Sequence, residues 1–333
     1  MGISKIYYVT SDSYDPYYNL ALEERLLEIC GENDLIFYLW QNDNTVVIGK
    51  NQSAYKECNI EEMKKDNVKL ARRLSGGGAV YHDLGNLNFT FVTKRCNYDL
   101  NRQLTVIKDA INKNGSFAYF SGRNDILINE KKISGNAFYV TADSCYHHGT
   151  LLVNSKLDMF GKYLKASKSK LESKGVDSVR SRVENINSFV KGLDIETLKK
   201  DLLEALTKVY WLPYEQLVVD NINKEKNEDP NWLYRKELES DYSLSNRFSW
   251  GELYFKLVIK EGIIVNLTVF SDSMDIEISE NIEKVMINSS FDTSLLEKFD
   301  ILDDPYKTDL KQFFTGVING WYCNNRGRPR WIY

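Results

Sequence analysis

Arg72-Arg73-Leu74-Ser75-Gly76-Gly77-Gly78-Ala79-Val80-Tyr81-His82-Asp83 gathers the residue types that could bind and activate an anion. Three successive glycines let the backbone approach a ligand that side chains would exclude. The two arginines before them carry planar, permanently charged donors suited to phosphate or carboxylate. Leu87, Phe89 and Phe91 then alternate with polar residues, so the loop feeds a strand. An anion meeting rigid backbone suggests nucleotide chemistry; the plain alternative is a flexible turn.

Further along, Gly122-Arg123-Asn124-Asp125-Ile126 puts a carboxylate at a strand start, where it could reach a magnesium ion or a substrate amine, or cap a turn. Lys131-Lys132-Ile133-Ser134-Gly135-Asn136-Ala137 follows. Neighbours on an extended segment face opposite ways, so one lysine points inward if the other meets water. Periodicity leaves open which one. A buried ammonium requires an anion, because desolvating it unpaired is costly. His147 and His148 are adjacent, so they do not share a strand face, and with no HExxH a zinc site is unsupported. One could orient a loop while the other lines a pocket. Cys145 could serve as a thiolate beside His147, or be an ordinary buried cysteine. From Lys156 to Arg182 eight basic residues accompany three acidic ones, a stretch able to close over a negatively charged intermediate or to steer an acidic partner.

These residues need a scaffold. The spacing predicts a helix over 17–29, with Leu20, Ala21, Leu26, Leu27 and Ile29 on its apolar side and Glu23, Glu24 and Glu28 mostly elsewhere. Strands are expected over 35–40, 45–48, 86–93, 117–120 and 125–128, the last turning at Asn129-Glu130 into further extended pieces from Lys131 and from Gly149 to Val153. Helices are expected over 60–67, 100–114, 156–163 and 195–210. Asn221 to Pro230 is polar enough to read as a surface loop. Beyond it come a short helix near Trp232, a hairpin around Glu261-Gly262, and helices after Ser279 and over 307–318. The irregular alternation argues for an α+β architecture of mixed and antiparallel sheets packed with helices, in two domains, 1–245 and 246–333.

The formal charge of -4 over 333 residues argues against bulk nucleic-acid binding. Five scattered cysteines fit a reduced compartment better than a disulfide framework. No signal-like or membrane-spanning apolar run is visible, so the expectation is a cytoplasmic protein with neither membrane nor nucleic acid as partner.

In order and spacing these segments resemble the lipoate–protein ligases of the biotin/lipoate ligase superfamily, two-domain bacterial type. The resemblance rests on Ser11 to Pro16, Asn19-Leu20-Ala21, Thr45 to Gly49, the Arg72 to Asp83 motif, Gly122 to Asp125, Lys132 to Ala137, His148 to Leu152 and Arg180-Ser181-Arg182. It implies that ATP and lipoate are substrates, with Mg²⁺, and that lipoyl-AMP is the intermediate. Arg73 and the backbone of Gly78, Ala79, Val80 and Tyr81 would contact ATP, while Ser75, Gly76, Gly77 and Gly78 help wall the lipoate tunnel. Lys132, thereby the inward lysine, would contact both nucleotide and lipoate. Asp125 would lie near the phosphates and the metal, His148 and Gly149 would border the ligands, and Ser178, Arg180 and Arg182 would close over the adenylate. The small α+β C-terminal domain resembles the family's accessory domain. The implied acceptors are apo lipoyl domains of 2-oxoacid dehydrogenase E2 subunits or the glycine cleavage H protein, and the implied state is a monomer. An ATP-independent octanoyl or lipoyl transferase is the rival reading.

Overall fold

In this computed structural model the described residues are 2–121, 125–165, 183–235 and 240–324. They form two units, Met1–Lys50 with Ala54–Arg235, and Asn51–Ser53 with Lys236–Tyr333.

The first unit is built on an eight-stranded sheet. In chain order its strands are β1 (Lys5–Thr10), β2 (Asp34–Trp40), β6 (Asn86–Lys94), β7 (Ala118–Ser121), β8 (Asp125–Ile128), β9 (Lys131–Val140), β10 (Ser144–Leu152) and β11 (Tyr214–Gln216), arranged β11-β1-β2-β6-β10-β9-β8-β7. β1 runs parallel to β2 and β11, and the other neighbours are antiparallel. Alternation assigns its two faces. Leu35, Phe37 and Leu39 of β2 and Leu87, Phe89 and Phe91 of β6 enter one core with Leu104, Ile107 and Ile111 of α4 (Leu100–Asn112) and Leu198, Leu202 and Leu206 of α6 (Ile195–Tyr210). Both helices begin at aspartates that take an amide hydrogen, Asp99 from Arg102 and Asp194 from Thr197.

The opposite face carries Ile36, Tyr38, Trp40, Val92 and Tyr146, covered by Leu20, Leu22 and Leu26 of α1 (Pro16–Ile29). A second sheet adds Val47 and Ala71 to that cluster. It is short: β4 (Lys69–Arg72), β3 (Thr45–Ile48) and β5 (Val80–His82), in that order. The glycine run therefore joins its two outer strands. Small helices α2 (Ala54–Glu57), α3 (Ile60–Lys65) and α5 (Asp158–Tyr163) line its outer side through Ala54, Met63 and Tyr163.

The polar stretch read as a surface loop holds instead a one-turn helix, α7 (Glu225–Glu228), followed by α8 (Pro230–Tyr234). Asn227 is buried there, with its amide on Glu24. The second unit packs the antiparallel sheet β12 (Tyr242–Phe248), β13 (Gly251–Lys260) and β14 (Ile263–Ser271) against α9 (Ile278–Met286), α10 (Leu295–Lys298) and α11 (Tyr306–Asn324). Leu253, Phe255 and Leu257, at the strand period, meet Leu310, Phe314 and Ile318, at the helix period, in its core. The first unit is thus an α+β layered sheet and the second a smaller α+β body.

Candidate active site

The loop between β4 and β5 is shaped by its two arginines, and each does a different job. Arg72 is fully buried and donates to the carbonyls of Gly49, Lys50, Trp232 and Leu233 at 2.7–3.0 Å. Burial, reinforced by the charge of Arg235, brings its guanidinium down to about 9, still well above neutrality. Arg73, 6% exposed, turns under the loop and donates to Val47 O at 3.2 Å, Gly76 O at 2.7 Å, Gly78 O at 2.8 Å and Ser75 Oγ at 2.9 Å. The Lys50 amide donates to Ser75 O at 2.9 Å. The carbonyls of residues 75, 76 and 78 thus point into the protein. The amides of Gly76, Gly77, Gly78 and Ala79 meet no acceptor among the described residues. Successive N–H groups without a protein acceptor can receive an anion. The glycines permit it: Gly77 has φ +86°, and a Cβ on Gly49 would stand 2.4 Å from Gly77 O.

Behind the loop lies a buried polar layer on the α1 face of the large sheet. Tyr38, Thr90 and His148 are cross-strand neighbours on β2, β6 and β10. His148 Nε2 lies 2.8 Å from Ser75 Oγ, and its Nδ1 lies 2.8 Å from Glu23 Oε1. The Thr90 hydroxyl donates to the same carboxylate at 2.7 Å and accepts from Trp40 Nε1 at 3.0 Å. Glu23 is 1% exposed, contrary to its expected place off the apolar side of α1. The signal was available. Leu20 and Leu27 stand three before and four after it, so all three share one helix stripe.

Lys132 and Asp125 meet across the β8–β9 hairpin, with Lys132 Nζ at 2.7 Å from Asp125 Oδ1. The anion that a partly buried lysine demands is supplied by the fold itself. Strict alternation fails at this point because of a bulge. Ile126 pairs with Ser134 but Leu127 with Lys132, so Ile133 is an extra residue on β9. Ile133 and Ser134 are both fully buried in consequence. Gly135 leaves room for the lysine, since a Cβ there would sit 3.2 Å from Lys132 Nζ.

The remaining expected residues are placed as follows. Ser75, Gly76 and Gly77 are buried and Gly78, Ala79 and Val80 half-buried, so the outer half of the loop is the accessible part. The Tyr81 side chain packs inward against Tyr163 and donates its hydroxyl to Asn44 at 3.1 Å, leaving only backbone for a ligand. Beside it opens a groove of about 440 Å³ holding Asp66, Asp83, Lys156 and Lys162. Within it Lys162 pairs with Asp66, which also takes the Tyr163 hydroxyl hydrogen, and Asp83 takes the backbone amide hydrogen of Lys156. Gly149 is a packing glycine, because a Cβ would lie 2.5 Å from the Phe89 ring. His147 faces the other core between Gln103 at 3.0 Å and Asn136 at 2.9 Å, stacked on Phe91 and Phe138. Burial pushes His147 and His82 down to about 3. Cys145 is buried, pushed up to about 11 by desolvation, with its Sγ on Thr93 O. It is no thiolate. Ser178, Arg180 and Arg182 lie outside the described residues, as do Gly122, Arg123 and Asn124. Among the described residues no cluster of three or more metal-ligating side chains occurs, and no helix is long and apolar enough to cross a membrane.

Residues 15–207 match the family model of the lipoyl protein ligase A/B catalytic domain, and residues 237–319 match that of the bacterial lipoate protein ligase C-terminus. The lipoate-protein ligase A of Psychrobacter cryohalolentis is 37% identical over 328 residues, covering 92% of this chain and 97% of its own length. That of Blochmanniella pennsylvanica is 40% identical over 280 residues, 80% of this chain and 83% of its own. Among solved structures, P. falciparum LipL1 in complex with lipoate superposes with a TM-score of 0.82 at 28% identity, over 94% of this chain and 99% of that one. The bipartite lipoate protein ligase of Thermoplasma acidophilum, solved in a study of that ligase and its E2 lipoyl domain, superposes at 0.62 with 27% identity, over 72% and 100% of the two chains.

Proposed function

The chain belongs to the lipoate–protein ligase family, and from that premise we propose that it activates lipoate with ATP and passes the lipoyl group to a carrier lysine. In the first half-reaction a lipoate carboxylate oxygen attacks the α-phosphorus of ATP, and pyrophosphate leaves with the electrons of the broken P–O bond. The backbone amides of Gly78 and Ala79, on the accessible half of the loop, receive phosphate oxygens, and Gly76 and Gly77 help wall the lipoate tunnel. Arg73 acts from beneath the loop, by keeping the carbonyls away. Lys132 holds the attacking carboxylate against the α-phosphate, and it is not itself acylated. The single observation carrying this assignment is the Lys132–Asp125 pair at 2.7 Å. It supports the reading because an ammonium has three hydrogens, enough to serve both Asp125 and a ligand carboxylate.

Magnesium fits this site in the way it fits other nucleotide sites, through one carboxylate and the substrate's own phosphates. Asp125 is the residue that would hold it, and the ion would offset phosphate charge.

In the second half-reaction the carrier ε-amine attacks the acyl carbon of the mixed anhydride, and AMP departs. An amine of reference pKa near 10.4 is neutral in only about one molecule in two thousand at neutral pH. Its proton therefore passes to the departing phosphate or to Asp125 as attack proceeds. The acceptors are apo lipoyl domains of 2-oxoacid dehydrogenase E2 subunits or the glycine cleavage H protein, met by the basic Lys156 to Arg182 stretch. Arg180 and Arg182, with Ser178, retain the adenylate. One monomeric, cytoplasmic polypeptide serves both steps, its catalytic part ending ahead of β12, near Arg235 rather than at residue 245, and its accessory part following.

The test combines the protein with ATP, Mg²⁺, lipoate and an apo lipoyl domain and reads the acyl adduct by intact mass. An ATP-dependent lipoyl adduct is expected. Transfer from an acylated carrier without ATP would establish the transferase instead, a reading the buried Cys145 disfavours.

A further inference from the structure

The Arg72 guanidinium holds two segments that are remote in sequence. Its Nη1 donates to Gly49 O at 3.0 Å and to Lys50 O at 2.9 Å, at the exit of β3. Its Nε donates to Trp232 O at 2.8 Å and its Nη2 to Leu233 O at 2.7 Å, on α8. The hold is mutual, because Trp232 Nε1 donates back to Arg72 O at 3.1 Å. Both segments are points of departure: the chain leaves the first unit after Lys50, rejoins it at Ala54 and leaves again after Arg235. One side chain therefore pins the backbone close to both exits. Only a planar fork with hydrogens in fixed directions serves carbonyls on two sides at once. The far side of Gly49 and Lys50 is the glycine loop. The Lys50 amide donates to Ser75 O at 2.9 Å, the Arg73 amide donates to Ile48 O at 3.0 Å, and Gly77 O takes the place a Cβ on Gly49 would need. These two residues form a splint between the loop and Arg72. Arg72 is fully buried, so water does not replace a broken link.

We infer that Arg72 is a positioning residue that joins the glycine loop to the linker at 231–235. Nucleotide bound at the loop steadies Gly49 and Lys50, and through the guanidinium it steadies the carbonyls of Trp232 and Leu233. By linkage the reverse holds, so an ordered α8 strengthens ATP binding by the same factor. The inference rests on the nucleotide reading above and extends it from the loop to the exits of the chain. A lysine in place of Arg72 carries its three hydrogens on one nitrogen. It can satisfy β3 or α8, and the path between loop and linker is broken at whichever segment it leaves.

The experiment reads amide hydrogen exchange by mass spectrometry on the full chain, with and without Mg-ATP, for wild type, Arg72→Lys and the exposed control Arg25→Lys. Thermal melting confirms folding and calorimetry gives the ATP affinity. The Leu233 and Arg235 amides bond to Asp229 O and Asn231 O, so their exchange reports opening of α8. In wild type, Mg-ATP should slow exchange over 75–81 and, roughly fivefold, over 231–235, the low end of ordinary coupling between sites. In Arg72→Lys the loop should still respond and the linker should not, while the Kd for ATP rises by a comparable factor. Arg25→Lys should match wild type. A folded Arg72→Lys protein whose linker responds as in wild type overturns the inference, as does a wild type that binds ATP with no change at the linker. If Arg72→Lys does not fold, Trp232→Phe keeps a ring and removes the indole donor; at least half of the linker response should disappear, and an unchanged response overturns the inference. A wild type that binds ATP but exchanges no pyrophosphate with lipoate sinks the adenylation reading, while the linker response still decides the role of Arg72. A wild type that binds no ATP overturns both.

Discussion

His147 and His148 are chain neighbours on β10, yet the strand sends them into different chemistry. His147 looks into the helix-covered core, sandwiched by Phe91 and Phe138, with its nitrogens on two amide side chains. His148 looks into the layer beneath the glycine loop and joins Glu23 to Ser75. Period-two alternation alone separates them. One face of the sheet supplies rigidity and the other supplies polar groups in a defined order. A buried histidine is therefore a functional residue only on the face that the loop covers.

The largest effect belongs to Lys132, which lies on neither histidine's network. Lys132→Ala should lower ATP–pyrophosphate exchange by roughly a hundredfold to a thousandfold, the usual scale for losing a charge that stabilises a transition state. The melting temperature should fall but the protein should stay folded, since Asp125, whose side chain is 13% exposed, loses its cation. Wild-type exchange in the variant would remove Lys132 from the chemistry and leave the polar layer as the site's main asset.

Next comes the exchange of roles between the two histidines. His148→Gln should lower ATP–pyrophosphate exchange with lipoate roughly tenfold with modest loss of stability. His147→Gln should leave KM for ATP within about twofold while costing about 1–3 kcal/mol in urea unfolding, because it disturbs buried hydrogen bonds and ring stacking. If the two variants show the same profile, the division between the faces is not real.

Much of this arrangement is legible in the sequence. Leu87, Phe89 and Phe91 announce the strand behind the loop, and Leu198, Leu202 and Leu206 announce the helix over it. Asn129-Glu130 is a turn with positive φ at both residues, as two adjacent polar residues between strands suggest. Other features have no such signature. β4 and β5 are four and three residues long, too short to show a period. The β9 bulge moves Ile133 and Ser134 inward together, so counting from Lys131 misassigns the faces. Arg73 reads as a phosphate donor from its type, whereas its position under the glycines makes it the group that turns the loop carbonyls away. Glu23 reads as solvent-facing from its charge, although its place between Leu20 and Leu27 on one helix stripe points inward; its partners Thr90 and His148 lie far along the chain.

The faces also differ in their response to acid. His147 falls from an ordinary 6.5 to about 3 through burial. Below about pH 6.5 the unfolded chain binds a proton that the folded ring refuses, so stability is full above that point and is lost as pH falls toward 3, by about 1.4 kcal/mol per pH unit. His82 adds a second such slope over the same window, for the same reason. Urea titrations from about pH 7 to about pH 5 should show the wild type losing stability faster than His147→Gln by that single-histidine slope. Parallel curves would mean that His147 takes up its proton without unfolding, and that its face is wetter than its packing implies.

The smallest effect should come from Cys145, two residues before His147 and by alternation on the same face. Its thiol is buried, gives its hydrogen to Thr93 O at 3.7 Å, and is pushed up to about 11 by desolvation. Less than about one thiol in a thousand ionises at neutral pH on that basis, and a nucleophile must be the thiolate. Cys145→Ala should therefore keep ligase turnover within about twofold and lower stability by about 1 kcal/mol for the lost sulfur contacts. Ligase and carrier-to-carrier transfer rates are measured side by side on the same protein. A folded variant that loses transfer would move chemistry onto the face assigned to rigidity and merge the two halves of the comparison. Retention of ATP-dependent lipoylation confines the reaction to the side of the sheet that carries His148 and the loop.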